Sequence, residues 1–137
     1  MGKRNFVVSR ELIDPNNHVG EDKYYNIGLK VLWQMNKESG MDKVFLEEEI
    51  APITFNSEIT FFKEIFENEK IEVDIKIYAV PDNLKRWTRL IEIYNHKNQL
   101  SAKIDSKGAF FNLKTRKVQA PNKRIINLFK ETDYAYY

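Results

Sequence analysis

Between Gly20 and Gly40 the sequence keeps a helical period, and from residue 51 onward it keeps a period of two. Tyr24, Ile27, Gly28, Val31, Leu32 and Met35 recur at three- and four-residue spacing and form one apolar stripe. Glu21 and Asp22 fall in the first turn, where carboxylates complement the helix dipole, and Gly40 supplies the stop. Gly28 on the apolar stripe predicts that another backbone approaches closely there. Downstream, Ile53, Phe55, Ser57, Ile59 and Phe61 alternate with polar residues, and so do Ile71, Val73, Ile75 and Ile77, as half-buried strands do. A loop at Pro81-Asp82-Asn83 leads to a strand from about Arg86 to Tyr94. Residues 95–98 then make a hairpin into a long strand ending near residue 113, with Gly108 marking a bulge or bend in it.

Before the helix, Phe6-Val7-Val8 begins an extended segment that ends near Ile13, because Pro15 biases Asp14 away from helix. After Pro121, Asn122 caps a last helix carrying Ile125, Ile126, Leu128 and Phe129, and the tail 133–137 is expected to be mobile or docked on a partner. One long helix, a short helical connector and four antiparallel strands give an α+β two-layer architecture. A single domain spans 1–137, its core about 5–121, with the C-terminal helix and tail at 122–137. One helix covers only part of such a sheet, so a second chain is an expected neighbour.

Composition narrows the function. Of 137 residues, 42% are hydrophobic, enough for one core, and 22 Lys+Arg against 20 Asp+Glu leave a formal charge of only +2. A protein built to neutralise nucleic-acid phosphates carries a lopsided basic balance, so bulk nucleic-acid binding is not expected. The absence of cysteine removes disulfides, thiolate metal sites and thiol nucleophiles together. His18 and His96 are not spaced as a helical ligand pair, so no metal site is expected either. No segment has the apolar core of a signal peptide or the length of a membrane span, which predicts a cytoplasmic protein without membrane partners.

The segment joining the first strand to the long helix carries the chemistry. Asp14, Asn16 and His18 lie on alternate residues just before a helix N-terminus, whose unpaired N–H groups make a ready oxyanion site. Carboxylate, amide and imidazole beside polarised N–H groups suit hydrolysis of an activated acyl group. The same residues also make good turn-and-cap chemistry, and spacing alone leaves both readings open.

Asp14-x-Asn16-x-His18-Val19, with Tyr24 six residues after the histidine, resembles the opening motif of the hot-dog-fold acyl thioesterases. That motif recurs in the 4-hydroxybenzoyl-CoA, plant acyl-ACP and betainyl-CoA branches. Ile59-Thr60-Phe61-Phe62-Lys63-Glu64-Ile65 resembles the family's strand ending in a basic-Glu pair. Lys85-Arg86, Leu100-Ser101-Ala102, Phe110-Phe111-Asn112-Leu113 and Arg116-Lys117 are similar to the betainyl-CoA type. The resemblance covers roughly residues 5 to 130.

It implies a sheet wrapped around a central helix and hydrolysis of an acyl-CoA or acyl-carrier-protein thioester. It also implies a homodimer or homotetramer, with no cofactor beyond the CoA of the substrate. By the same match Asp14, Asn16, His18 and Glu64 are catalytic, Asp14 as nucleophile or general base, and the backbone at Gly20 and Glu21 polarises the thioester carbonyl. Gly20 stands where the family often has Asn, which bears on the oxyanion site. Asn68 stands where it usually has Gly, a harmless change because Asn tolerates the left-handed backbone. Tyr24, Phe61, Phe62 and Trp87 could line an acyl pocket or simply be core. Arg86, with Lys85 and the basic residues at 114, 116, 117, 123 and 124, could meet CoA phosphates or be a solvated strand end. The betainyl-CoA likeness hints at a short polar or cationic acyl group. The competing reading is a non-catalytic acyl-thioester-binding module on the same fold. A hydratase is weaker, because the helix face of Tyr24, Ile27 and Val31 offers no acid or base.

Overall fold

A computed structural model describes residues 2–79 and 85–136, so the loop expected at Pro81-Asp82-Asn83 lies outside the described residues. The elements are β1 (Lys3–Val7), a 3-10 turn (Arg10–Leu12), α1 (Glu21–Ser39), α2 (Met41–Glu48), β2 (Ile50–Phe61), β3 (Lys70–Ala79), β4 (Arg86–Tyr94), β5 (Leu100–Asn112), α3 (Lys123–Glu131) and β6 (Ala135–Tyr136). The sheet runs β1-β3-β4-β5-β2 with antiparallel neighbours throughout, and β6 adds to β3 in parallel. The first extended segment is shorter than its sequence suggests. β1 stops at Val7, and the 3-10 turn then buries Leu12.

The six stripe residues of α1 are the ones it buries, and Gly40 ends it with a left-handed φ of 80°. They pack on Ile71, Ile75, Ile91, Ile93 and Ile104, all fully buried, each contributing about 1.5–3 kcal/mol by burial. Gly28 is tight for a different reason from the one expected. A Cβ there would lie 3.1 Å from Ile91 and 3.4 Å from Ile104, so its nearest neighbours are side chains of the sheet.

A bulge is present, but in the strand facing Gly108. Thr54 pairs with Gly108 and Asn56 with Lys107, which leaves Phe55 as the extra residue of β2. The slip turns Ile53 to the face opposite Ser57, Ile59 and Phe61, so the five residues that read as one face are divided. Gly108 serves the close approach instead: the Trp87 ring and the Ile53 carbonyl occupy the space a Cβ would need. Trp87 is locked there by Nε1–H donating to the Ala109 carbonyl at 2.8 Å.

Within the tail, residues 134–136 dock on this chain itself. Tyr134 is buried, its hydroxyl donates to Asn36 Oδ1 at 2.7 Å, and its carbonyl accepts from Ile77 N–H at 2.8 Å. β1 covers β3 only as far as Asp74, and the tail occupies the rest of that exposed strand edge. α3, which leads into it, is capped as expected by Asn122 Oδ1 accepting from Ile125 N–H at 3.1 Å. Asn122→Ala should cost about 1 kcal/mol and lower Tm by about 3 °C in a thermal melt. Among the described residues no helix is long and apolar enough to cross a membrane.

Candidate active site

The segment before α1 folds into a loop closed on itself. Asp14 N–H donates to the His18 carbonyl (2.9 Å), Asn17 N–H to the Asp14 carbonyl (3.0 Å), and Asn16 N–H to Asp14 Oδ1 (2.8 Å). Asn17 takes the left-handed backbone, φ 65°, which asparagine tolerates. The turn chemistry is therefore real. The capping chemistry is not, because Gly20 is the N-cap of α1 and no side chain caps that helix.

Glu64 reaches this loop from the far side. Phe62 and Lys63 N–H groups both donate to the Ser101 carbonyl (2.8 and 3.2 Å), and Val19 N–H donates to the Ile65 carbonyl (2.8 Å), joining the two segments. His18 then lies between two carboxylates. Its Nδ1 is 3.2 Å from Glu64 Oε1 and its Nε2 is 3.4 Å from Asp14 Oδ2. A neutral imidazole can donate to only one of them, an imidazolium to both.

These groups line one cleft of about 530 Å³ together with Asn16, Glu21, Tyr24 and Phe61. Tyr24 is its floor: it is 4% exposed and meets Phe61 edge-on with centroids 5.1 Å apart. Burial pushes the Tyr24 hydroxyl up to about 12, against the opposing pull of a hydrogen bond from Ile65 N–H, so it stays neutral. The unpaired N–H groups of the first turn of α1 begin at Glu21.

Two expected site residues stand differently. Gly20 N–H donates to the Leu12 carbonyl at 3.0 Å, so that amide is engaged and Gly20 shapes the entry to the helix. Arg86 is remote. It pairs with Ala109, whereas Phe61 pairs with Ala102, seven residues along β5, which is roughly 23 Å of strand within one chain. Trp87 lies deep beside β5 and away from the cleft. Of the other basic residues, Arg124 bonds Glu47 and Glu48, Lys114 pairs with Glu49, and Arg116 stacks over Phe111.

The sequence reading passed over Lys63 as a cleft residue, although it directly precedes Glu64 in the quoted motif, and over Glu69. Glu69 Oε2 accepts from Phe66 N–H at 2.6 Å and Oε1 pairs with His96, so it fastens the loop that carries Glu64. Burial alone would raise the Glu69 carboxyl. The hydrogen bonds from His96 and from the Phe66 and His96 N–H groups outweigh it and hold the carboxyl below its ordinary value of 4.5. A depressed carboxylate contributes stability that is complete above that ordinary value and lost as pH falls through the folded one. Glu69→Gln should therefore be less stable at neutral pH and show a flatter fall of Tm with acid below about pH 5.

A model of the thioesterase-like superfamily matches residues 7–128. The chain belongs to that superfamily. Solved structures give the same fold, the antiparallel sheet around one long helix that defines the hot-dog thioesterases. YbaW from Escherichia coli superposes with a TM-score of 0.83 at 15% identity, covering 96% of this chain and 98% of the other. SAV2348 from Staphylococcus aureus, solved in complex with CoA, gives 0.82 at 21% identity over 94% and 81%. Slr0204, a 1,4-dihydroxy-2-naphthoyl-CoA thioesterase from Synechocystis, gives 0.80 at 14% identity over 96% of both chains. Comparison with curated proteins found no match. In this hot-dog chain the cleft sits where the loop of Asp14, Asn16 and His18 meets the N-terminus of α1.

Proposed function

We propose that this chain hydrolyses acyl thioesters of CoA, or of an acyl carrier protein, at the cleft before α1. The observation that carries this is His18 held between Asp14 and Glu64 at the mouth of a helix N-terminus. The Glu21 N–H polarises the thioester carbonyl and takes up the developing oxyanion charge. Asp14 or Glu64 either activates a water or attacks the carbonyl carbon itself, and His18 holds the two carboxylates in relation to each other. Asn16, exposed at the cleft rim, orients the acyl carbonyl. Tyr24 and Phe61 form the apolar wall beside the reacting carbon. The Staphylococcus aureus CoA complex and the Synechocystis naphthoyl-CoA enzyme support a CoA thioester as substrate.

Release of free thiol from a panel of short, long, aromatic, cationic and carboxyl-bearing acyl-CoAs is the test. Turnover above buffer on at least one member is the expected result. None on any of them would overturn hydrolysis and leave an acyl-thioester-binding module.

The site is read within a homodimer. Among the described residues β2 pairs only with β5, which leaves a 12-residue strand edge open, with Phe55 and Phe61 of that strand exposed. Light scattering should report twice the chain mass, and a monomer at micromolar concentration would refute this part.

A further inference from the structure

Arg89 occupies an inward-facing position of β4 between Trp87 and Ile91 and is only 6% exposed. Its Nη2 donates to Ser106 Oγ at 3.2 Å, its guanidinium carbon lies 5.3 Å from the centre of the Trp87 ring, and the Tyr25 hydroxyl is a further hydrogen-bond neighbour. Its Nε–H has no partner, and among the described residues no carboxylate pairs with it. Arg89 lines a half-open cavity of about 50 Å³ between α1, α2 and the sheet, with Leu32, Met41, Phe45 and Phe110 as apolar walls and Asn36 as a second polar group. A single water needs about 10–15 Å³, so the space admits a small polar group.

A buried cation without a counter-charge is unfavourable, and breaking or omitting its partner is among the costlier things a core can do. The planar guanidinium fork is matched by a carboxylate, which would supply both the missing charge and an acceptor for Nε–H.

We propose that this cavity is a carboxylate-binding site. Resting on the hydrolysis proposed above, the carboxylate is the one at the far end of a dicarboxylic acyl group whose thioester end lies in the cleft. The distances along the sheet suit this. Arg89 pairs with Ser106 and Ser106 with Ser57, four residues along β2 from Phe61, which is roughly 13 Å. Tyr25 next to the cleft-lining Tyr24 bonds Ser57 at 2.8 Å, and Ser57 bonds Ser106 at 2.7 Å. A hydrogen-bonded row of Tyr25, Ser57 and Ser106 thus runs from beside the cleft to the guanidinium, a span within the length of a medium acyl chain. A buried cation at its end opposes the cationic acyl group that the betainyl-CoA likeness suggests.

Two measurements separate the site from the activity. In thermal melts at matched ionic strength, free suberate should raise the Tm of the wild type by about 5 °C, and neutral 1,8-octanediol should not. Arg89→Met should abolish that shift and Arg89→Lys retain part of it. In thiol-release assays, the kcat/KM ratio of suberyl-CoA over octanoyl-CoA should fall at least tenfold in Arg89→Met. A suberate shift without any thioester turnover would keep the carboxylate site and overturn the hydrolase. A suberate shift with turnover indifferent to the terminal carboxylate would keep the site for a free carboxylate and overturn the acyl assignment. No suberate shift in the wild type would overturn the proposal, whether or not either variant folds.

Discussion

Asp14→Asn should lower thiol release from the preferred acyl-CoA at least a hundredfold while leaving Tm nearly unchanged. The reason lies in how Asp14 is held. Oδ1 accepts from Asn16 N–H and Oδ2 faces His18 Nε2, so the side chain is fixed in its own turn and both oxygens have defined partners. An amide keeps the shape and can keep the acceptor facing Asn16, but it loses the negative charge needed for attack or for proton removal. Glu64→Gln separates the two carboxylates. Glu64 is mostly exposed and holds Nδ1 of the same ring, so if Asp14 attacks, Glu64→Gln should cost far less than Asp14→Asn. If Glu64 activates the water, the order reverses. Unchanged kcat/KM in both variants, measured with folding verified by circular dichroism, would remove the site from the cleft altogether.

Gly108→Ala should lower Tm by about 10 °C, corresponding to roughly 3 kcal/mol for a chain of this size. The added methyl would enter the space shared by the Trp87 ring and the Ile53 carbonyl. Neither neighbour can retreat cheaply. Trp87 is pinned by its bond to the Ala109 carbonyl, and Ile53 is fixed in the register of β2 one residue before the Thr54–Gly108 pair. Differential scanning fluorimetry would decide it, and a loss below about 3 °C would mean the bulge at Phe55 absorbs the strain.

What could be read from the chain followed from how local each signal was. The apolar stripe of α1 and its Gly40 stop depend on neighbours within one helix, so periodicity located them. The Asp14, Asn16 and His18 loop is also local, and its turn chemistry is visible in the residue types. The partnership of His18 with Glu64 spans 46 positions, and only the family resemblance pointed to it. One inserted residue, Phe55, defeated the face assignment of β2, because a period of two has no memory across a bulge. The docking of residues 134–136 is not legible locally, since it depends on an edge of β3 that no local pattern reveals. Arg86 looked suitable by charge, yet its pairing with Ala109 sets it far along β5 from the cleft of its own chain. Arg89 was legible in principle: Trp87, Arg89, Ile91 and Ile93 share one face of β4, and a charge in such a row signals either a partner or a ligand.

The unequal margins of the sheet have a consequence for assembly. β1 and β6, which lie along β3, are strands of five and two residues, whereas β2 presents an edge of 12, so strand addition is favoured through β2. When two copies meet there by a two-fold axis, each covers the other's longest open edge. What then remains at either end of the joined sheet is the short β1 and β6 margin, a poor template for a third chain.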